Sequence, residues 1–390
     1  MRLLLVNTVA SGGSIGSYIN RIAAHALSLG WEVAVAAGGG APADPRVKFI
    51  RIGSKADMIV SALATRLFDS HGLTGAAATR RFCSEADAFC PDIVHLHNIH
   101  VYYLHYPALF RWLAERKHRV LWTLHDCWAF TGHCASFDRV RCMEWTTGCH
   151  DCPLGRDYPA TRLISQTARN YAVKRAVFTS VPGLRLLPVS DWLKERVLPM
   201  SFLGSLNATT VKIDVDLDTY CPSVRPSPTP VVLGVANVWT SGKSLQFFRR
   251  LRDELPPRVR IRIAGDIRGA ARIGGVEYIG WLSPDKLAAE YAGASVFVNP
   301  TYAESYSMTN REALACGTPV VTRAVGGATE DLLDGSGALR ASADDSTLIA
   351  MTKDIIASPA EPLRTAAVCL ARRLYGNQPF LRRLFDIYSF

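Results

Sequence analysis

Two carboxylates open the chemical reading of this 390-residue chain. Glu304 and Glu312 are separated by seven residues in the stretch NPTYAESYSMTNREALACGTPVVTRAVGGATE, residues 299–330. Ser305 to Ser307 suit a loop and Met308 to Ala315 a helix, so one carboxylate precedes a helix and the other lies inside it. A buried carboxylate accepts hydrogen bonds from vicinal hydroxyls, and the unpaired N–H groups of a helix N-terminus, here those of Met308 and Thr309, suit an anionic diphosphate. Those are the polar groups of a nucleotide-sugar. Alone, the spacing equally fits an exposed loop acid and a helix-surface acid.

Other candidates lie in the first half. The loop Ser11-Gly12-Gly13-Ser14-Ile15-Gly16 leaves a strand and opens a helix, where backbone amides can face a phosphate. Its glycine spacing is not the dinucleotide fingerprint, and the next strand ends in Ala36-Ala37-Gly38 with no acid for a ribose. The alternative is a tight turn that lets the helix pack on the strand. His125 ends a strand beside Asp126, where a side chain reaches a cleft and can position a polar ligand; the alternative is a satisfied structural histidine. His95, His97, His100 and His105 have the type of metal ligands, and His95 and His97 alternate onto one strand face; the alternative is that residues 98–103 line a binding surface. Cys134, Cys142, Cys149 and Cys152 offer a Cys-x-x-Cys pair and two further thiols, a set suited to a structural zinc. Spacings of seven and six residues are not those of a standard finger, and reduced thiols or a disulfide are the alternative.

The elements that must position these groups are α/β. Strands are expected at Arg2–Val6, Glu32–Ala37, Ile93–Leu96, Val120–Leu124 and Leu187–Val189, with helices at Ser17–Leu29 and near Trp192. After the proline-rich stretch Cys221–Pro230 the pattern restarts, with strands at Val231–Val235, Arg260–Ala264 and Ser295–Asn299 and a helix over Lys286–Tyr291. Two doubly wound domains are therefore expected to face a cleft at their strand ends. Their expected bounds are 1–212, with a Cys-rich insertion near 127–153, and 231–372, joined by a hinge and linker at 213–230 and followed by a C-terminal helix at 373–390. At 48% hydrophobic and 20% charged the chain is neither disordered nor disulfide-built, and no apolar run reaches the roughly 18 residues of a membrane span. No leader pattern is read at the start, so a cytoplasmic location is expected.

At Ala313–Val321 (ALACGTPVV) and Gly326-Gly327 the sequence resembles the retaining glycosyltransferases of family 4, with Glu304, Glu312, Cys316, Gly317 and Pro319 matching that family's motif. The likeness extends to the glycine loop, to VLWTLHD at 120–126, to VKIDVDLDTY at 211–220 and to Ala264-Gly265-Asp266, and so spans essentially the whole chain. Leu124–Trp128, Thr131–Cys134 and Trp145–Pro153 are similar to a subgroup that includes colanic acid biosynthesis enzymes. The resemblance implies a GT-B fold of two Rossmann-like domains, with a terminal helix crossing back to the first. It implies a GDP- or UDP-sugar donor, a saccharide acceptor carried on a polyprenyl diphosphate or another saccharide, and no catalytic metal. It places Glu312 on the ribose, Glu304 and His125 by the donor sugar, the amides of Met308 and Thr309 on the diphosphate, and Lys243 as the lysine that neutralises it. The arginine usually paired with that lysine is absent from Ala236-Asn237-Val238-Trp239, leaving Arg311 or Arg323 as stand-ins. The expected role is lipopolysaccharide, capsule or exopolysaccharide synthesis.

Two rivals are a GT-B sugar-nucleotide epimerase or hydrolase and a nucleic-acid-binding zinc protein; the second lacks an aromatic-basic recognition motif, and no nucleic acid partner is expected. Net charge is +10, and residues 1–225 hold 25 Lys and Arg against 18 Asp and Glu. Arg111–Arg119 and Arg162–Arg175 could rest on anionic lipid at the inner face of the cytoplasmic membrane, the alternative being solvated helix faces.

Overall fold

Short β-branched and aliphatic runs alternating with amphipathic helices give two compact units, residues 1–212 with 383–390 and residues 213–382. The computed structural model describes all residues except 101, 240–242, 268–270 and 390, and of Lys243 the backbone alone.

The first unit runs β1 (Arg2–Val9), α1 (Gly13–Ser28), β2 (Glu32–Gly39), β3 (Lys48–Arg51), α2 (Lys55–Phe68), α3 (Ala76–Phe89), β4 (Ile93–Leu96), α4 (Tyr106–Ala114), β5 (Arg119–Leu124), α5 (Thr167–Phe178), β6 (Arg185–Pro188) and β7 (Asn207–Ala208). Its seven strands are parallel in the order β3-β2-β1-β4-β5-β6-β7. β1 and β4 are fully buried over Leu3–Val6 and Ile93–Leu96, as strands covered on both faces must be. α1 begins at Gly13, four residues before the expected Ser17, because Gly12 and Gly13 at φ +85° and +63° turn the chain directly into the helix. The helix expected near Trp192 is a short π-helical turn over Trp192–Val197.

The second unit runs β8 (Val231–Val238), α6 (Lys243–Glu254), β9 (Arg260–Asp266), β10 (Val276–Gly280), α7 (Pro284–Gly293), β11 (Val296–Asn299), α8 (Met308–Ala315), β12 (Val320–Arg323), β13 (Leu339–Ser342), α9 (Asp345–Ala357) and α10 (Ala360–Tyr375). Six parallel strands follow the order β10-β9-β8-β11-β12-β13. α11 (Pro379–Ser389) starts in this unit, and its residues from Arg383 onward belong to the first. There Phe385 packs edge-on against His25 at 4.4 Å between ring centroids.

Among the described residues no helix is long and apolar enough to cross a membrane. At the end of β9, Gly265 has φ +117°, and a Cβ there would lie 1.8 Å from the Ala236 carbonyl oxygen at the end of β8. No side-chain rotation relieves a clash with backbone. Gly265→Ala should therefore destabilise the chain by roughly 2–4 kcal/mol in denaturant unfolding, and a loss below about 1 kcal/mol would show that β8 and β9 can part cheaply.

Candidate functional site

In each unit the strand order reverses at one place, between β1 and β4 and between β8 and β11, and loops leaving the strand ends there diverge to open a crevice. The candidate residues follow these strands. Gly12 and Gly13 lie after β1, residues 97–100 after β4, Lys243 after β8 and Glu304 after β11.

In the second unit, α8 starts at the expected Met308. Ser307 caps it, its hydroxyl accepting the Asn310 N–H at 3.4 Å, which leaves the N–H groups of Met308 and Thr309 unclaimed by the helix. The next three residues, Asn310, Arg311 and Glu312, are all polar and all buried. Asn310 accepts from the Asn299 amide at 3.0 Å and donates to Thr322 Oγ1 at 3.1 Å and the Ala328 carbonyl at 3.0 Å. Arg311 donates to the carbonyls of Ser307 at 3.0 Å and Glu330 at 2.7 Å, with its guanidinium 3.5 Å above the Tyr306 ring. These bonds tie the loop after β11 to the turn containing Gly326-Gly327. Glu304 lies in that loop, half-buried; its backbone carbonyl accepts the Gly327 N–H at 2.9 Å and its Oε1 the Tyr306 N–H at 3.4 Å.

Glu312 carries the site's main electrostatic tension. Burial pushes its carboxyl up to about 7, against which the Tyr291 and Tyr220 hydroxyls stabilise the ionised form. Tyr291 donates at 3.5 Å. Neither tyrosine is marked by the carboxylate spacing. Tyr220, though, closes the VKIDVDLDTY segment, which makes that segment part of the site.

The stand-in cations do not serve as expected. Arg311 is committed to two carbonyls and a ring, and Arg323 to Asp345, the Ala343 carbonyl and the Tyr302 ring at 3.9 Å. Both guanidiniums brace the protein. The expected role of Lys243 as a charge donor rests on a side chain outside the described ones; its backbone is the first residue of α6.

In the first unit, a Cβ added at Gly12 or Gly13 would meet nothing within 4 Å, so it is backbone conformation that demands glycine there. The histidines are tied to separate partners rather than gathered in a metal cage, with one hydrogen bond between two of them, His97 to His125, and among the described residues no group of three candidate ligands could hold an ion. His95 bonds Tyr388 Oη through Nδ1 at 2.5 Å and Thr123 Oγ1 through Nε2 at 2.7 Å. Its ring centroid is 4.1 Å from that of His97, whose Nδ1 meets His125 Nε2 at 3.1 Å. Burial keeps all three neutral, with His95 lowered to about 3, His125 to about 4 and His97 well below its usual value. His97 Nε2 is buried without a partner, and an orphaned acceptor is tolerated better than an orphaned N–H. The proton therefore belongs on His97 Nδ1, which donates to His125 Nε2 and leaves the His125 proton on Nδ1. His100 bonds Asp126 at 3.0 Å, while His105 caps α4 by accepting the Ala108 N–H at 3.1 Å.

Cys134, Cys142, Cys149 and Cys152 line one cavity of ≈ 10 Å³, the space of one small ion or water. Backbone N–H groups point at three of the sulfurs, from Ser136 to Cys134, from Leu154 to Cys152 and from Gly132 to Cys149 at 3.2 Å. Cys134 and Cys152 share a proton, which raises the first and lowers the second.

In the basic stretch 111–119, Trp112 and Leu113 are core and Arg116 pairs with Asp87 at 3.0 Å, while Arg111 and Lys117 are exposed. In 162–175, Lys174 is buried, donating to the carbonyls of Trp128 at 2.7 Å and Thr131 at 2.9 Å.

Comparisons with known proteins follow the same two units. Residues 13–179 match the profile of the glycosyl transferase 4-like domain and residues 229–358 that of glycosyl transferases group 1. The chain is 24% identical over 312 residues to WcaC of Escherichia coli K12, a putative colanic acid biosynthesis glycosyl transferase, covering 77% of this chain and 76% of that one. It is 32% identical over 245 residues to a D-inositol 3-phosphate glycosyltransferase of Mycolicibacterium smegmatis, covering 52% and 56%. Its fold matches sucrose-phosphate synthase of Thermosynechococcus elongatus with a TM-score of 0.70 at 16% identity, covering 100% and 98%. It matches HepE of Anabaena, solved with UDP and glucose, with a TM-score of 0.69 at 14% identity, covering 100% and 99%.

If burial of Glu312 costs stability, the cost has a defined sign with pH. Its folded pKa of about 7 lies above the unfolded value, so stability falls as pH rises from about 4.3 to about 7 and is level beyond. Glu312→Gln should thus raise the melting temperature at pH 8, by an increment worth up to about 3 kcal/mol, and change it little at pH 4.5. A variant less stable than wild type at pH 8 would show the carboxylate to be a net stabiliser.

Proposed function

The chain belongs to the family 4 glycosyltransferases and has their GT-B fold, and from that premise we propose that it moves a sugar, with retention, from a nucleoside diphosphate donor to a saccharide acceptor in surface polysaccharide synthesis. The observation that carries this reading is the buried Glu312 behind a capped helix N-terminus whose first amides are unclaimed. In it, Glu312 takes the ribose diol, the Met308 and Thr309 amides and Lys243 take the diphosphate, and Glu304 and His125 hold the donor sugar. Retention has the acceptor hydroxyl approach the face from which the diphosphate leaves, with the diphosphate accepting its proton. The amides and Lys243 stabilise the charge that develops. HepE's complex with UDP and glucose favours a UDP-sugar over a GDP-sugar. The acceptor is a saccharide on a polyprenyl diphosphate lipid, as suits a relative of a colanic acid enzyme.

Calorimetric titration with UDP and GDP tests the donor site. Glu312→Gln should weaken nucleoside diphosphate binding by roughly 1.5–3 kcal/mol, the worth of a charge-assisted hydrogen bond, whereas Lys243→Ala should chiefly lower turnover. Unchanged nucleotide affinity in the glutamine variant would remove the ribose assignment, and wild-type turnover in the alanine variant would remove Lys243 from the leaving-group site.

Zinc on the four cysteines is part of the proposal as a structural element. The donor set, the shared cavity and the three N–H groups aimed at sulfur fit it. Among the described residues no group of three candidate ligands is already placed to hold an ion, so binding requires the cysteine side chains to rearrange. Protein purified in reducing buffer should carry about one equivalent. Metal analysis finding none would reduce the cluster to packed thiols.

A further inference from the structure

α2 is built inside out. Its polar Ser61 and Thr65 are buried, Thr65 at 0% exposure, while Ile59 is 61% exposed and Val60, Leu63, Leu67 and Phe68 are exposed with it. The inward polar side has partners: Ser61 Oγ accepts the Thr74 hydroxyl at 2.6 Å, and the Thr65 carbonyl accepts that of Thr161 at 3.2 Å. The bonds from Thr74 and Thr161 therefore hold this side of the helix inward, while the Thr65 hydroxyl donates to the Ser61 carbonyl of its own helix at 2.8 Å. The segment after Thr161 extends the apolar face. Arg162 and Ile164 donate their backbone N–H groups to the carbonyls of Arg66 at 2.8 Å and Leu67 at 3.0 Å, which sets Leu163, 69% exposed, and Ile164 beside the end of α2.

At 100° per residue, Ile59, Leu63, Leu67 and Val60 fall within about 100° of arc, and Lys55 and Arg66 lie on its flank. Arg162 adjoins Leu163. The sole acid of α2, Asp57, is held in a capping box with Ser54 at the helix start. A contiguous aliphatic face edged by cations, with its acid tied down, is the pattern of a helix lying in a bilayer interface. A two-fold contact between copies would instead bring the same cations together with no acid in the patch to meet them. The excess of 25 basic over 18 acidic residues in 1–225 acts in the same direction.

We propose that α2 and residues 162–164 form a membrane-seating surface that inserts shallowly into an anionic bilayer, with Lys55, Arg66 and Arg162 at the headgroups. This surface differs from the basic stretch 111–119, whose apolar residues are core. It does not rest on the donor-site reading, and its test needs no sugar transfer.

The full chain should sediment with phosphatidylglycerol-containing vesicles and barely with phosphatidylcholine alone. Salt should weaken the attachment by screening the cations. The triple variant Ile59→Ser, Leu63→Ser, Leu163→Ser should bind anionic vesicles at least tenfold more weakly while melting like wild type, since all three side chains face solvent. In a second readout, Leu63→Trp should shift its emission to the blue on anionic vesicles and be quenched by brominated acyl chains. Equal vesicle binding by triple variant and wild type, or a Leu63→Trp emission that lipid leaves unchanged, would overturn the proposal. So would a wild-type dimer that the triple variant converts to monomer without loss of vesicle binding, which would assign the face to a second copy.

Discussion

Parallel strands with right-handed crossovers leave one place in each sheet where successive connections part, and the glycine loop after β1, the residues after β4 and the carboxylate loop after β11 all depend on that constraint. β1 and β4 part in the first unit, and β8 and β11 in the second. A strand end there delivers a loop that neither neighbouring crossover covers. The residues after β11 can thus hold carboxylates and amides without burying them in the sheet. The residues after β4 and β5 can hold a row of imidazoles reached from one side. Both units solve the same topological problem with different chemistry, one with a braced helix start and the other with neutral histidines.

Bracing is what the polar residues of α8 accomplish. A run of Asn310, Arg311 and Glu312 at a buried helix start would destabilise the fold if left unsatisfied, yet the first two are bonded on several sides. Their bonds cross from the helix to the loop of Glu304 and to the turn of Gly326-Gly327. A buried network bonded on several sides rigidifies the helix start. Glu312 is the exception within it, held at a raised pKa by burial that two tyrosines only partly offset. A buried carboxyl whose pKa is raised by its surroundings, in a helix whose first amides lie beyond the reach of helical hydrogen bonding, is the local feature that sets this strand end apart.

Legibility in the sequence followed the physics of each element. β4 and α8 agree with their expected bounds because a four-residue apolar run between breakers and a serine before a helical run are local signals. Gly12 and Gly13 marked the α1 start, but the helix begins on them, since positive φ at a helix entrance cannot be told from a longer turn by composition. The cations misled. Arg311 and Arg323 read as available charge, and only tertiary contacts reveal that carbonyls and rings occupy them. The outward apolar face of α2 is not legible in the sequence, because periodicity arguments assume that the apolar face turns inward. Here the serine and threonine do.

The braced strand end of the first unit shows how a buried lysine can be tolerated. Asp126, next to His125, accepts the Trp128 N–H at 2.9 Å and bonds His100 at 3.0 Å; these contacts outweigh burial and keep its carboxyl below the usual range. Lys174 then fastens the following turn from below, through the Trp128 and Thr131 carbonyls, with its amine 3.5 Å from the Trp128 ring centroid. Burial lowers this lysine to about 7. Losing its proton does not undo the brace, because a neutral amine keeps two N–H donors and there are two carbonyls to satisfy. The turn of Trp128 and Thr131 is consequently insulated from the protonation state of the lysine that fastens it. Arg311 achieves the same insulation differently, with a guanidinium that stays charged and spans two carbonyls at once.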